Sequence, residues 1–292
     1  MAGESTERWH PTRFRRFVRA SESSTLIARI VTDAGTAMLK PMSKHVSPHK
    51  LACELVGTQL AAWLGLQTFQ FDILTIRPED EIPLKRRGLF ALPGPAFVTR
   101  FHRGMEWSGE AKLLRRVDNP DDISRLVVFD TWTLNWDRHA PREMGRRSRP
   151  DNVFLSHEGA TRGRFRLIAM DQTECFAGGP EFARGLANID RVQDERVYGL
   201  FPAFAQQMRR HQQTQREMVR MAAGRLRQFD RATVEECIMR IPREWGVSDR
   251  IKELLADLIV GRARFIADRI EVTLARACGW QDELDFGIGG AT

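Results

Sequence analysis

The stretch VVFDTWTLNWDRHAPREMGRRSRPDNVFLSHEGATRGRFRLIAMDQTECF, residues 127–176, alternates apolar runs with polar tips. Its first run ends in Asn135, Asp137, Arg138 and His139, and a basic interval follows. Asp151-Asn152 then opens Val153-Phe154-Leu155, and Phe165-Arg166-Leu167-Ile168-Ala169-Met170 stops at Asp171. Asp137, Asn152 and Asp171 thus stand at the ends of segments that should be buried, and rigid apolar supports are how a polar site is held. The chemistry such a set suits is phosphoryl transfer. One carboxylate positions the proton of an attacking hydroxyl, while an amide oxygen and a second carboxylate hold magnesium against nucleotide phosphates. These are hard oxygen donors, matched to magnesium rather than to zinc or copper. Each residue alone has a plainer reading, because an Asp that ends a strand is often a turn residue.

Toward the N-terminus, Phe14–Ala20, Thr25–Thr32 and Thr36–Lys40 read as strands. Ser21 to Ser24 form a polar loop between the first two, and Asp33-Ala34-Gly35 is a tight-turn signal between the last two. Ser23 and Ser24 could donate hydroxyls to phosphate oxygens or belong to an ordinary hairpin loop. Lys40 closes a strand whose neighbours should bury its stem, and a buried ammonium needs an anionic partner. A lysine that snorkels to water is the alternative. Ser47-Pro48 and Gly65 bracket a helix. On it Glu54 lies at the flank of the apolar stripe, a place open equally to a cleft and to water. Gln67–Ile76 and Ala96–Phe101 read as further strands.

Asn135-Trp136-Asp137-Arg138-His139, with Asn152 in a later apolar strand and Asp171 closing the next one, resembles the catalytic and metal-binding segments of HipA-like kinases. Their wider relatives, the phosphoinositide kinases, also carry Asp-Arg-His. Glu54-Leu55-Val56 with the leucines that follow, and Ile241-Pro242-Arg243-Glu244-Trp245, are similar to HipA-like segments as well. The resemblance implies an α+β, two-lobed protein kinase-like fold with a small β-rich N-lobe over 13–103 and a larger helical C-lobe over 104–281. It implies Asp137 as the catalytic aspartate and Asn152 and Asp171 as magnesium ligands. Lys40 is expected on the α and β phosphates of ATP, Glu54 beside it, and Ser23 and Ser24 in the loop over the phosphates. The strand ending near Phe101 would enter the hinge that holds the adenine. One departure stands out: in the relatives the Asn follows Asp-Arg-His closely, whereas Pro141–Pro150 reads here as an inserted loop and position 142 is Arg.

The expected activity is ATP- and magnesium-dependent transfer of a γ-phosphoryl group to a hydroxyl, first of all on a protein serine or threonine. A lipid or small-molecule kinase, and a catalytically dead nucleotide-binding module, are the alternatives. Neither a toxin role nor an antitoxin partner follows from the sequence.

Composition narrows the rest. The 292 residues carry a net charge of +7, with arginine far outnumbering lysine. A positive balance suits a protein that handles polyanionic nucleotides, and no nucleic-acid-binding signature accompanies it. No run approaches about 18 apolar residues, so no membrane span is expected. Four scattered cysteines without a Cys-x-x-Cys pair argue against a zinc site or disulfide framework and fit a cytoplasmic protein. Residues 1–12 and 282–292 read as loose tails. Gly109–Arg116 and Pro120–Leu134 read as helices, as do Pro202–Asp230, Ala232–Arg240 and Ser248–Ala277. Gly178-Gly179-Pro180 falls where a kinase has its activation segment.

Overall fold

Period-two burial sets the smaller, β-rich part of the molecule. The computed structural model describes residues 9–21, 26–85, 88–177 and 182–281. Strands β1 (Phe14–Ala20), β2 (Ala28–Thr32) and β3 (Gly35–Lys40) run antiparallel and precede helix α1 (His49–Leu64). Strands β4 (Phe71–Ile76) and β5 (Gly94–Arg100) complete a five-stranded sheet of order β1-β2-β3-β5-β4. Ala28, Ile30, Ala37, Leu39, Ala96 and Val98 close one face over a small core that also takes in Trp9. Alternation then turns Met38, Lys40, Phe97 and Thr99 to the opposite face, where Met38 pairs with Thr99 and Lys40 with Phe97. Gly35, at φ 102°, makes the turn that sets the register of β2 against β3.

Helix α1 ends as its sequence signals, with Gly65 left-handed and its N–H shared between the carbonyls of Ala61 and Ala62. The helix is buried on nearly every side, Glu54 included. The flank position read for Glu54 therefore lies inside the protein rather than at water.

The remaining elements form the larger, helical part. Strand β6 (Gly104–Glu106) follows, then α2 (Ala111–Leu114), α3 (Asp122–Thr133), β7 (Val153–Ser156) and β8 (Arg166–Ala169), with β6-β7-β8 a separate antiparallel sheet. The helices α4 (Phe182–Leu186), α5 (Ile189–Val192), α6 (Pro202–Arg210), α7 (Gln212–Gln228), α8 (Arg231–Met239), α9 (Asp249–Ala267) and α10 (Ile270–Cys278) complete it. Two helices expected to be continuous are broken. His211, at φ −119° and ψ 43°, separates α6 from α7. The chain also turns at Asp268–Arg269, so that α10 packs back on α7 through buried Ile270 and Leu274. The polar runs around both breaks carry no glycine or proline to announce them.

Trp245 joins the two parts. It is fully buried, and its indole N–H donates to the carbonyl of Pro95 in β5 at 3.0 Å. Residues 9–12, read as part of a loose tail, are instead tied down: Trp9 donates to the Ala34 carbonyl at 2.9 Å, and the Thr12 amide donates to Asp33. The four cysteines are free and buried. Among the described residues no helix is long and apolar enough to cross a membrane.

Candidate active site

The site forms where three segments of the helical part meet the cleft face of the larger sheet. Helix α3 stops at Leu134, a non-glycine residue in the left-handed region at φ 55°. That reversal carries the chain into Asn135–His139. Arg138 turns back into the interior and is fully buried. Its guanidinium pairs with Asp130 on α3 and donates to the Asn152 carbonyl at 3.1 Å. It also reaches the Met170 carbonyl at 2.8 Å and the Gln172 side chain at 3.1 Å. One arginine thus ties the end of α3 to the approach to β7 and the exit from β8. A buried guanidinium can stay only where its donors are satisfied this fully. Burial pushes the Asp130 carboxyl up to about 6 even against the pull of Arg138.

This clamp decides where the sequence-predicted residues fall. Asp137 and Asn152 face each other, with the Asn152 amide donating to the Asp137 carboxylate at 2.7 Å. The loop between them folds away through a short 3-10 turn over Arg142–Met144 and returns through another over Pro150–Asn152. Asp171 follows β8 at φ 59°, a left-handed conformation that aspartate tolerates better than most residues. Lys40 reaches across to it at 3.1 Å and to Glu54 at 2.9 Å. Glu54 also accepts the Gln172 backbone N–H at 2.8 Å, and Asp171 accepts the Thr173 hydroxyl at 2.7 Å. Gly57 allows α1 to come this close, since a Cβ there would stand 2.7 Å from Cβ of Gln172.

Charge in the cluster is shared unevenly. Burial alone would favour neutral Lys40, but Asp171 and Glu54 outweigh it and leave its pKa above the ordinary lysine value. For Asp171 burial again opposes ionisation, and Lys40 followed by the Thr173 hydroxyl overcomes it, holding the carboxyl at about 2. Glu54 is more deeply enclosed, and burial pushes it up despite Lys40. His139 Nδ1 shares a hydrogen bond with the Ser148 hydroxyl at 2.6 Å, and burial lowers its pKa toward the neutral ring.

Two adjoining clefts open onto this cluster. The first is largely apolar, with Ile27, Met38, Phe97, Phe101 and Met170 among its lining, and Ser21 at its edge. The second is polar and includes Asp137, Lys50 and Glu174. Lys40, Asp171, Ile27 and Arg149 line both. Ser23 and Ser24 lie outside the described residues, as does Gly178-Gly179-Pro180.

The donors suit a magnesium ion. Lys40 and Thr173 both bind Asp171 at Oδ1, and the Asn152–Asp137 bond uses the amide nitrogen, so a carboxylate oxygen and an amide oxygen remain. Magnesium takes one or two such protein oxygens and completes its shell with phosphate and water. Among the described residues no cluster of three or more His, Cys, Asp or Glu offers a different metal site. The clamp made by Arg138 and the place of Arg149 between the two clefts escaped the sequence reading. Arg138 stands among polar neighbours, so the available signal is Asp130 inside the preceding apolar run, a carboxylate that needs a partner once buried, whereas nothing in the sequence of the loop singles out Arg149.

Residues 36–174 match the model of the HipA-like kinase family. Every residue of the Lys40, Glu54, Asp137, Asn152 and Asp171 set falls inside that match. No curated protein sequence matches the chain significantly. Among solved structures the chain is similar to the Helicobacter pylori proinflammatory kinase CtkA, at 14% identity and a TM-score of 0.56. The match covers 91% of this chain and 99% of that one, so the two share a kinase fold. The resemblance to HipA-like kinases read from the sequence is therefore borne out over the matched segment.

Proposed function

We propose that this HipA-like kinase chain transfers the γ-phosphoryl group of ATP, with magnesium, to a hydroxyl acceptor on a protein serine or threonine. The observation that carries the reading is the bridging of Lys40 between Glu54 and Asp171 at 2.9 and 3.1 Å, beside an Asn152–Asp137 pair at 2.7 Å. A lysine fixed by two carboxylates presents its charge at one place, where it can hold the α and β phosphates. The apolar cleft beside it suits a purine base. Asp137, in the polar cleft, has a carboxylate available to orient the acceptor hydroxyl and take its proton. Asn152 and Asp171 would hold magnesium, which supplies positive charge to the phosphate oxygens when bound. Preorganised charge of this kind supplies most of what phosphoryl transfer asks of a protein.

The test is magnesium-dependent ATP binding and autophosphorylation of the purified protein, with the modified residue mapped. Asp137→Ala should abolish transfer and keep ATP binding. A parent protein that transfers no phosphate at any magnesium concentration overturns the proposal. Transfer to lipid or metabolite pools but not to protein corrects only the acceptor.

A further inference from the structure

We propose that Arg149, supplied by the inserted loop, binds the γ-phosphate of the nucleotide. This inference rests on the phosphotransferase reading and adds to it a residue outside the lysine, aspartate and asparagine set.

The loop that separates Asp137 from Asn152 is fastened down where it rejoins the site. The Arg149 backbone N–H donates to the Arg138 carbonyl at 2.8 Å, and one residue earlier the Ser148 hydroxyl meets His139 Nδ1 at 2.6 Å. Both anchors lie within the segment that carries Asp137. The end of the insertion is therefore positioned by the site itself, and a 3-10 turn over Pro150–Asn152 follows at once.

Arg149 is then placed between the two clefts, which it lines together with Lys40 and Asp171. The apolar cleft is the place for the base and the polar cleft, with Asp137, the place for the acceptor. Their junction is where the last phosphate of the nucleotide and the attacking oxygen must meet. A guanidinium suits that position because its planar fork matches phosphate oxygens and it stays charged at any working pH. Asp151 holds Nε and Nη2 at 2.9 to 3.1 Å and so fixes the plane of the group. Nη1 takes no part in that pairing. Arg149 is about one-third exposed, close enough to solvent to meet a ligand. Asp137 and Asp171 both act on it electrostatically. With a nucleotide bound, the guanidinium would offset negative charge that Lys40 alone leaves uncompensated.

In the transfer itself the acceptor oxygen forms a bond to the γ-phosphorus as the bond from phosphorus to the bridging oxygen breaks. The acceptor proton passes to Asp137, and ADP leaves with the bridging oxygen. Arg149 donates hydrogen bonds to a γ-phosphate oxygen throughout and neither gives up nor accepts a proton.

The test compares two ligands that differ in the γ-phosphate, using calorimetry with magnesium present: ADP and the non-hydrolysable β,γ-imido analogue of ATP. For Arg149→Ala the analogue should bind about tenfold more weakly or worse, as loss of a charge-assisted hydrogen bond requires. ADP affinity should stay within about twofold on the same scale. Arg149→Lys should recover part of the loss. Arg147→Ala, an exposed change in the same loop, should alter neither ligand. Equal weakening of both ligands, or no change in either, overturns the assignment of Arg149 while the kinase reading stands. Failure of the parent to bind either nucleotide overturns both.

Discussion

Asn152 donates to Asp137 at 2.7 Å although fifteen positions separate them in the chain. The insertion lengthens the path between the two residues without lengthening the distance across the site. Removing the Asn152 side chain takes away the donor to Asp137 and, under the proposed function, an amide oxygen for magnesium. Asn152→Ala should raise the magnesium concentration for half-maximal activity by about 10- to 100-fold, in line with losses seen when groups supporting a metal are removed. Titration of activity against magnesium at saturating ATP reads this directly, and an unchanged midpoint would remove Asn152 from the metal site.

Arg138 and Asp130 are both fully enclosed. Truncating either leaves a charge buried without its partner, which costs about 3–5 kcal/mol. Arg138→Ala should therefore lower unfolding free energy in a denaturant melt by that order, and Asp130→Asn by less, because the amide oxygen still accepts. Equal, small losses for both would mean that the pair carries little of the local stability.

The pH dependence of His139 has a definite sign. Burial lowers its pKa below the ordinary value of 6.5, so the unfolded chain takes up this proton before the folded one does. The stability that the neutral ring contributes is intact above about pH 6.5 and drains away as pH falls below it. His139→Gln should flatten the slope of unfolding free energy between about pH 7.5 and 5.5. Parallel curves for parent and variant would show that the ring titrates alike in both states.

Trp245→Phe keeps most of the buried ring and removes the donor to the Pro95 carbonyl. The expected cost is about 1–3 kcal/mol, since a buried carbonyl is left without its partner. Thermal melts of the parent and variant measure it. The loss should come with higher hydrogen exchange in β5, and a destabilisation confined to the helices would contradict the link between the two parts.

How much of this could be read from the sequence varied with the range of the interaction. Strand alternation is local, and with Ala37 and Leu39 inward it puts Lys40 on the opposite face. That this face looks onto Glu54 and Asp171 rather than onto water, the alternative the sequence left open, depends on tertiary packing. Gly65 and Pro48 marked the ends of α1 through signals that are local too. Glu54 was ambiguous, since a helical wheel separates an apolar stripe from its flanks but does not reveal that a helix is enclosed on nearly all sides. The meeting of Asn152 with Asp137 depends on how a loop closes, which Arg138 determines through bonds to three segments far apart in the chain. Strand β6 escaped notice because three exposed residues, Gly104-Met105-Glu106, carry no alternating pattern. The breaks at His211 and Asp268 come from packing among α7, α9 and α10 rather than from local breakers.

The indole of Trp245 has a consequence for how the sheet is coupled to the helices. Strand β5 is tied to the helical part at both ends, through the peptide chain just beyond Arg100 and through the hydrogen bond at Pro95. Between those two points Phe97 sits in the same core as α1 and the long helices, so the strand is held along its length. A disturbance at Pro95 therefore has a short route to Lys40, which pairs with Phe97, two residues from Pro95 along the same strand, and whose ammonium rests on Glu54 and Asp171.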